Sequence, residues 1–273
     1  MLNLFSYIPK IKRTRGYRLY DYKGRRYLDC FQNNGAAVLG HRPEKLLRNI
    51  KNTLSRGLLY DLPSVYSDRL LRLLVERFPD YSVFRIRRSL ERALADAESI
   101  MGGSLSEKDI ADPVMHTGGS GKQSCGVAFW RPFTDKRFYG KFRVIIPLIP
   151  FSLGGTPVIT CFKDESAENL PGSDIISPAL LVGAVHSLYR LASYRLPEWL
   201  DLSLPKSFNI WKREGIYLKA LCSTDEYKNV FNLFLAEGVL ISPLYPGPTI
   251  IPLELSEGEK KKLIELFMGV NGK

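Results

Sequence analysis

Val144-Ile145-Ile146-Pro147-Leu148-Ile149-Pro150-Phe151-Ser152-Leu153-Gly154-Gly155-Thr156-Pro157 is the stretch on which the reading of the fold turns. A β-branched apolar run that ends in paired glycines and a proline predicts a buried strand emptying into a tight turn. Glycine lets such a turn bring its backbone close to a ligand, because no Cβ stands in the way. Val158-Ile159-Thr160-Cys161-Phe162 predicts a second strand just beyond.

Toward the N-terminus, Gly16 to Asp29 alternates aromatic and polar residues around a Lys23-Gly24 turn, the pattern of a β-hairpin. A loop, Phe31-Gln32-Asn33-Asn34-Gly35, leads to Gly40-His41-Arg42-Pro43. Leu46, Leu47, Ile50 and Leu54 then recur at helical spacing, with Gly57 as a stop. A second helix is predicted from Tyr66 to Phe78, a strand from Tyr81 to Ile86, and a further helix from Leu94 to Met101. Toward the C-terminus, a long apolar helix is expected from Pro178 to about Leu191. Strand Gly215 to Leu221, helix Tyr227 to Ala236, an apolar piece Gly238 to Pro243, strand Thr249 to Leu253 and a closing helix after Ser256 complete the pass.

These segments, in this order, resemble the class III pyridoxal-phosphate-dependent aminotransferases, and glutamate-1-semialdehyde aminomutase in particular. The hairpin ending in Tyr27-Leu28-Asp29, the glycine-bearing loop and Gly40-His41-Arg42-Pro43 carry the strongest part of the likeness, with His41 as a structural turn residue. The Pro150 to Pro157 turn is similar to the family's active-site turn, where a lysine precedes the glycine run; here that position holds Pro150. Schiff-base chemistry needs a primary amine, and proline has none. Ser89-Leu90-Glu91-Arg92-Ala93 lies where the family holds the cofactor phosphate on a helix start. Ser89 and Ala93 match, but Leu90 replaces the glycine and Arg92 the glutamate. Asp112 resembles the aspartate that pairs with the cofactor's pyridinium nitrogen, although no apolar strand precedes it to bury it. Gly172-Ser173-Asp174-Ile175-Ile176-Ser177-Pro178 matches a phosphate-contacting turn in length, with Ser173 as the hydroxyl.

The resemblance implies an α/β, reduced fold-type-I transferase architecture, with an N-terminal segment (1–60), a trimmed central domain (61–195) and a C-terminal α/β small domain (196–273). Pyridoxal phosphate is the cofactor it implies, with Ser89, Asp112 and Ser173 as remnant contacts, no catalytic lysine, and covalent attachment unexpected. The expected protein is a degenerate homologue acting as a binding or assembly subunit, a homodimer or a heteromer with a related subunit. One alternative is a working aminotransferase or aminomutase that takes its amine from Lys122, Lys141 or Lys163.

Composition bounds the rest. Lys and Arg total 39 against 28 Asp and Glu, a net charge of +11, so a basic polyanion-binding protein stands as a further alternative. Arg87, Arg88 and Arg92 offer charge for an anion; otherwise they cover a surface helix. No nucleic-acid motif accompanies the basic clusters, and Thr117-Gly118-Gly119-Ser120-Gly121-Lys122 lacks phosphate-loop spacing. Cys30, Cys125, Cys161 and Cys222 are too scattered for a metal or disulfide framework and read as buried thiols. No metal site, no membrane span and a cytoplasmic address are expected.

Overall fold

The computed structural model describes residues 2–106, 109–115, 126–151, 153 and 155–269. Residues 1–43, 133–135 and 195–273 form one compact unit, and residues 44–132 and 136–194 another. In chain order, the first 43 residues carry β1 (Leu2–Asn3), β2 (Ile11–Arg15), β3 (Arg18–Asp21) and β4 (Arg26–Asp29). Then come α1 (Leu46–Leu54), α2 (Val65–Arg77), β5 (Val83–Arg87), α3 (Leu90–Met101), β6 (Val127–Trp130), β7 (Val144–Pro147), β8 (Val158–Phe162) and α4 (Pro178–Ser193). The last stretch adds α5 (Glu198–Ser203), β9 (Ser207–Phe208), β10 (Trp211–Glu214), β11 (Tyr217–Ala220), α6 (Thr224–Ala236), β12 (Val239–Leu240), β13 (Leu244–Tyr245), β14 (Thr249–Ile250) and α7 (Glu257–Gly269).

The unit of residues 44–132 and 136–194 is built on a sheet of order β5-β8-β7-β6. β6 runs parallel to β7, while β8 is antiparallel to both β5 and β7. β5, β6 and β7 therefore all point the same way, with one reversed strand among them. Every residue of β7 is buried, as the unbroken Val144-Ile145-Ile146 run requires of a strand covered on both faces. Val83, Phe129, Val144, Ile146 and Phe162 form the core with Ala97 of α3. α1 and α2 pack on α4, to which α2 presents the buried Leu70 and Leu74. α1 buries less than its spacing promised, since Leu47 and Leu54 are exposed.

In the other unit, β3 and β4 make the expected hairpin, and Asp21 closes its turn by accepting from the Lys23 and Arg25 amides at 2.8 and 2.9 Å. β2 extends the hairpin on one side and β12 pairs in parallel with β4 on the other. The N-terminal 43 residues are not a segment by themselves, because the inner edge of β4 takes its hydrogen-bonding partner from the C-terminal stretch. A second sheet, β14-β11-β10-β9, packs Trp211 against Phe234 of α6 and Phe267 of α7, with the Trp211 and Phe267 ring centres 5.2 Å apart.

Arg18 of β3 grips Glu259 of α7, its Nε donating to Oε1 at 2.9 Å and its Nη2 to Oε2. Burial alone would raise the Glu259 pKa, but Arg18 and the Ser256 amide outweigh it and hold it at about 2, against an ordinary 4.5. A carboxylate with a depressed folded pKa adds stability above its unfolded value and loses it on acidification. Stability should therefore fall by on the order of 1–2 kcal/mol between about pH 4.5 and 2, after solvent screening. Urea titrations across that range should show this component missing in Glu259→Gln.

Candidate functional site at the carboxyl end of the sheet

In open α/β sheets, ligands bind outside the carboxyl ends of the parallel strands. Ser89 follows β5, Arg131 follows β6 and Pro150 follows β7, so their shared direction puts all three at one end. Asp112 joins them, because Ala111 makes a parallel bridge to Ala128 of β6. Ser173 arrives along the free edge of β5, where its Oγ accepts from the Ile86 amide at 3.0 Å. Ser89, Asp112, Ser173 and Pro150 thus all lie toward that end of the sheet.

Pro150 is buried and offers no nucleophile. The next residue, Phe151, is 4% exposed, and its ring lies so close to α4 that a Cβ on Gly183 would fall 2.1 Å from it. Thr156 closes the turn by donating its hydroxyl to the carbonyls of Phe151 at 2.9 Å and Leu153 at 2.6 Å. Gly155 has φ +78°, a conformation that favours glycine. Gly154 lies outside the described residues.

Two of the proposed substitute amines sit at the wrong end. The Lys163 amide donates to the Arg143 carbonyl, and its Nζ donates to the Gly140 carbonyl at 2.6 Å. Lys141 also precedes β7, its ammonium 5.2 Å from the centre of the Phe142 ring. β7, from Val144 to Pro147, rises about 3.3 Å per residue, so roughly 10 Å of strand lies between the end that holds these lysines and the end that leads to the turn. Lys122, with the glycine-rich loop before it, lies outside the described residues.

Asp112 is 6% exposed, which corrects the expectation that nothing would bury it. Its cover comes from β6 and from Arg131, whose Nε reaches both carboxylate oxygens at 3.0 Å and whose Nη2 donates to Oδ2 at 2.8 Å. The Val114 amide donates to Oδ1 at 2.9 Å. Ser89 is the N-cap of α3, accepting from the Arg92 amide at 3.4 Å.

The arginine trio does not form an open anion site, and Arg87 is not on the surface. It is 1% exposed and bidentate to Asp96, at 2.6 and 2.9 Å. Arg88 pairs with Asp61 at 2.6 Å, and Arg92 with Asp174 at 2.9 Å. Asp174 also accepts from the Arg88 amide at 3.0 Å. An internal carboxylate therefore takes the charge that an incoming phosphate would need. Arg131, Asp96 and Asp174 escaped sequence reasoning because no helical or strand spacing ties them to their partners.

No family model matches the chain. An uncharacterized protein of Borreliella burgdorferi is 29% identical over 285 residues, a match covering 100% of this chain and 95% of that one. Glutamate-1-semialdehyde 2,1-aminomutase of Clostridium novyi is 29% identical over 127 residues, which are 43% of this chain and only 29% of the aminomutase. An omega-transaminase from Sphaerobacter thermophilus superposes with a TM-score of 0.73 at 14% identity, covering 98% of this chain and 92% of that one. The chain shares the fold of these aminotransferases. Over less than half of its length its sequence is similar to glutamate-1-semialdehyde aminomutases.

At the carboxyl end the charged groups pair with one another, Asp112 with Arg131 and the arginines around the start of α3 with aspartates, and Pro150 offers no amine.

If Asp112 is the counter-ion of a buried guanidinium, removing its charge should be costly for folding. Asp112→Asn should lose about 3 kcal/mol of stability, against about 1 kcal/mol for the cap mutation Ser89→Ala. Chemical denaturation of the two variants reads the difference, and equal small losses would assign Asp112 some other role.

Proposed function

We propose that this protein is a degenerate class III aminotransferase homologue that has lost covalent cofactor chemistry and acts as a binding or assembly subunit. The observation that carries the reading is Pro150 at the lysine position of a turn plugged by Phe151 against Gly183. The working-enzyme alternative needs another amine at that end, and Lys141 and Lys163 lie at the opposite end of β7. Two further features support the loss. Asp112 is engaged on both oxygens by Arg131, and Asp174 faces the start of α3 where an anion would sit.

The test incubates the protein with pyridoxal phosphate, reduces with borohydride and maps lysines by peptide mass spectrometry. No lysine should be labelled stoichiometrically, and Pro150→Lys should gain no amino-group transfer. One fully labelled lysine whose removal abolishes transfer would overturn the proposal.

An assembly role asks for a surface to assemble with. Leu59, Tyr60 and Val65, on the segment before and at the start of α2, are 69, 66 and 60% exposed. Apolar side chains clustered in this way mark association sites. Light scattering at micromolar concentration should report a homodimer, or a heteromer when a related subunit is present. Leu59→Asp with Tyr60→Ser should dissociate it. A wild-type monomer that recruits no related subunit would remove this part of the reading.

A further inference from the structure

A groove of about 540 Å³ opens between α1, α2 and α4, on residues that play no part in the carboxyl end of the sheet. Its volume lies in the range of small-molecule sites. Four cations converge on it: Lys45, Arg56, Arg69 and Arg190. Among the described residues, no carboxylate side chain lines it.

Elsewhere in this unit Arg87, Arg88, Arg92, Arg131 and Arg143 each find an aspartate, while Arg85 donates to backbone carbonyls and Arg77 lies over the Trp130 ring. Among the described residues, Arg56, Arg69 and Arg190 form no ion pair, and Lys45 reaches only the exposed Glu44, at 3.7 Å. Arg69 and Arg190 instead lie over the rings of Tyr66 and Tyr194, at 5.4 Å in each case. The Arg190 Nε is buried without a hydrogen-bond partner, and a buried, unmatched donor costs free energy that a ligand would recover. Asn49 and His186 add polar wall, joined Nδ2 to Nδ1 at 3.2 Å. Burial foremost, with Arg190 beside it, lowers the His186 pKa despite the opposing Glu44 backbone, so the imidazole adds hydrogen-bonding capacity there rather than charge.

We propose that this groove is a binding site for a small polyphosphorylated anion, held by the forked guanidinium groups of Arg56, Arg69 and Arg190 with Lys45 as a point charge. Guanidinium forks match phosphate oxygens in pairs, and three convergent guanidinium groups without ion pairs, with Lys45 beside them, suit a ligand with several anionic groups close together. A nucleic-acid strand is less well suited, because the cations close around one concavity and do not track along a face. This site goes beyond the proposed assembly role and does not depend on it.

The test is calorimetric titration with sodium tripolyphosphate at about 0.1 M salt, where surface charge is screened within about 10 Å. The wild-type chain should bind one equivalent. A groove triple variant, Lys45→Gln with Arg56→Gln and Arg69→Gln, should weaken binding at least about tenfold. A control triple that removes the same charge elsewhere, Lys10→Gln with Lys12→Gln and Lys23→Gln, should change it less than about twofold. All six side chains are exposed, and Lys45→Glu alone supplies the same comparison if the groove triple does not fold. Adenosine triphosphate run in parallel distinguishes the source: tighter binding assigns a nucleotide, equal binding an inorganic chain. Equal weakening in both triples, no saturable binding to the wild type, or tighter binding of a short single-stranded oligonucleotide through the groove would each overturn the proposal.

Discussion

Arg87 sets the terms for the carboxyl end of the sheet. A guanidinium buried to 1% exposure is tolerable only when charge and hydrogen bonds both compensate it, and removing such a partner costs several kcal/mol. Asp96 of α3 supplies the charge, while the Pro171 and Gly172 carbonyls accept from its two Nη groups. Those carbonyls hold the following residues against β5, so the Asp174 amide bonds to the Ile86 carbonyl at 2.8 Å and the Asp174 side chain meets Arg92. One buried cation thus ties strand, helix and returning segment together. The end of the sheet where relatives of this fold bind ligands has become a closed network of internal ion pairs.

The fold and a cofactor site differ in what they demand of a sequence. Three co-directional strands with one reversed strand among them need only apolar runs in the right order, and Val144 to Ile146 with Val158 to Phe162 supply these. A cofactor site needs particular atoms at particular points. At Pro150, Leu90 and Arg92 the atoms differ from those that the resemblance would place there. Phe151 against Gly183 fills the turn with packing, and Arg131 gives Asp112 a partner inside the protein.

Legibility in the sequence followed locality. The hairpin, the long apolar α4 and the strand before the glycine pair were readable because each is written in consecutive residues. The gathering of Ser89, Asp112, Ser173 and Pro150 was readable through the order of motifs. Asp112 was misjudged because its cover arrives from Ala128 and Arg131, which no nearby residue announces. β2 and β12 went unread as partners of the hairpin for a related reason. Ile11 to Arg15 is almost wholly polar, and Val239–Leu240 is too short to declare its pairing. The cations of the groove are scattered over three helices, and only the fold makes them neighbours.

The parallel pairing of β4 with β12 joins Leu28 to Val239. Seen in time and not in space, that pairing sets an order of events on the ribosome. The hairpin emerges early with the inner edge of β4 unmatched, and the strand that completes it is made only after the whole of the other unit has appeared. A short open edge of this kind is a template for unwanted strand pairing, and long-range partners close late because loop entropy must be met first. The unit of residues 44–132 and 136–194 has no such wait and can form while synthesis continues. Nascent chains halted before residue 239 would then carry a finished sheet beside a protease-sensitive N-terminal hairpin, with its closing strand still to come.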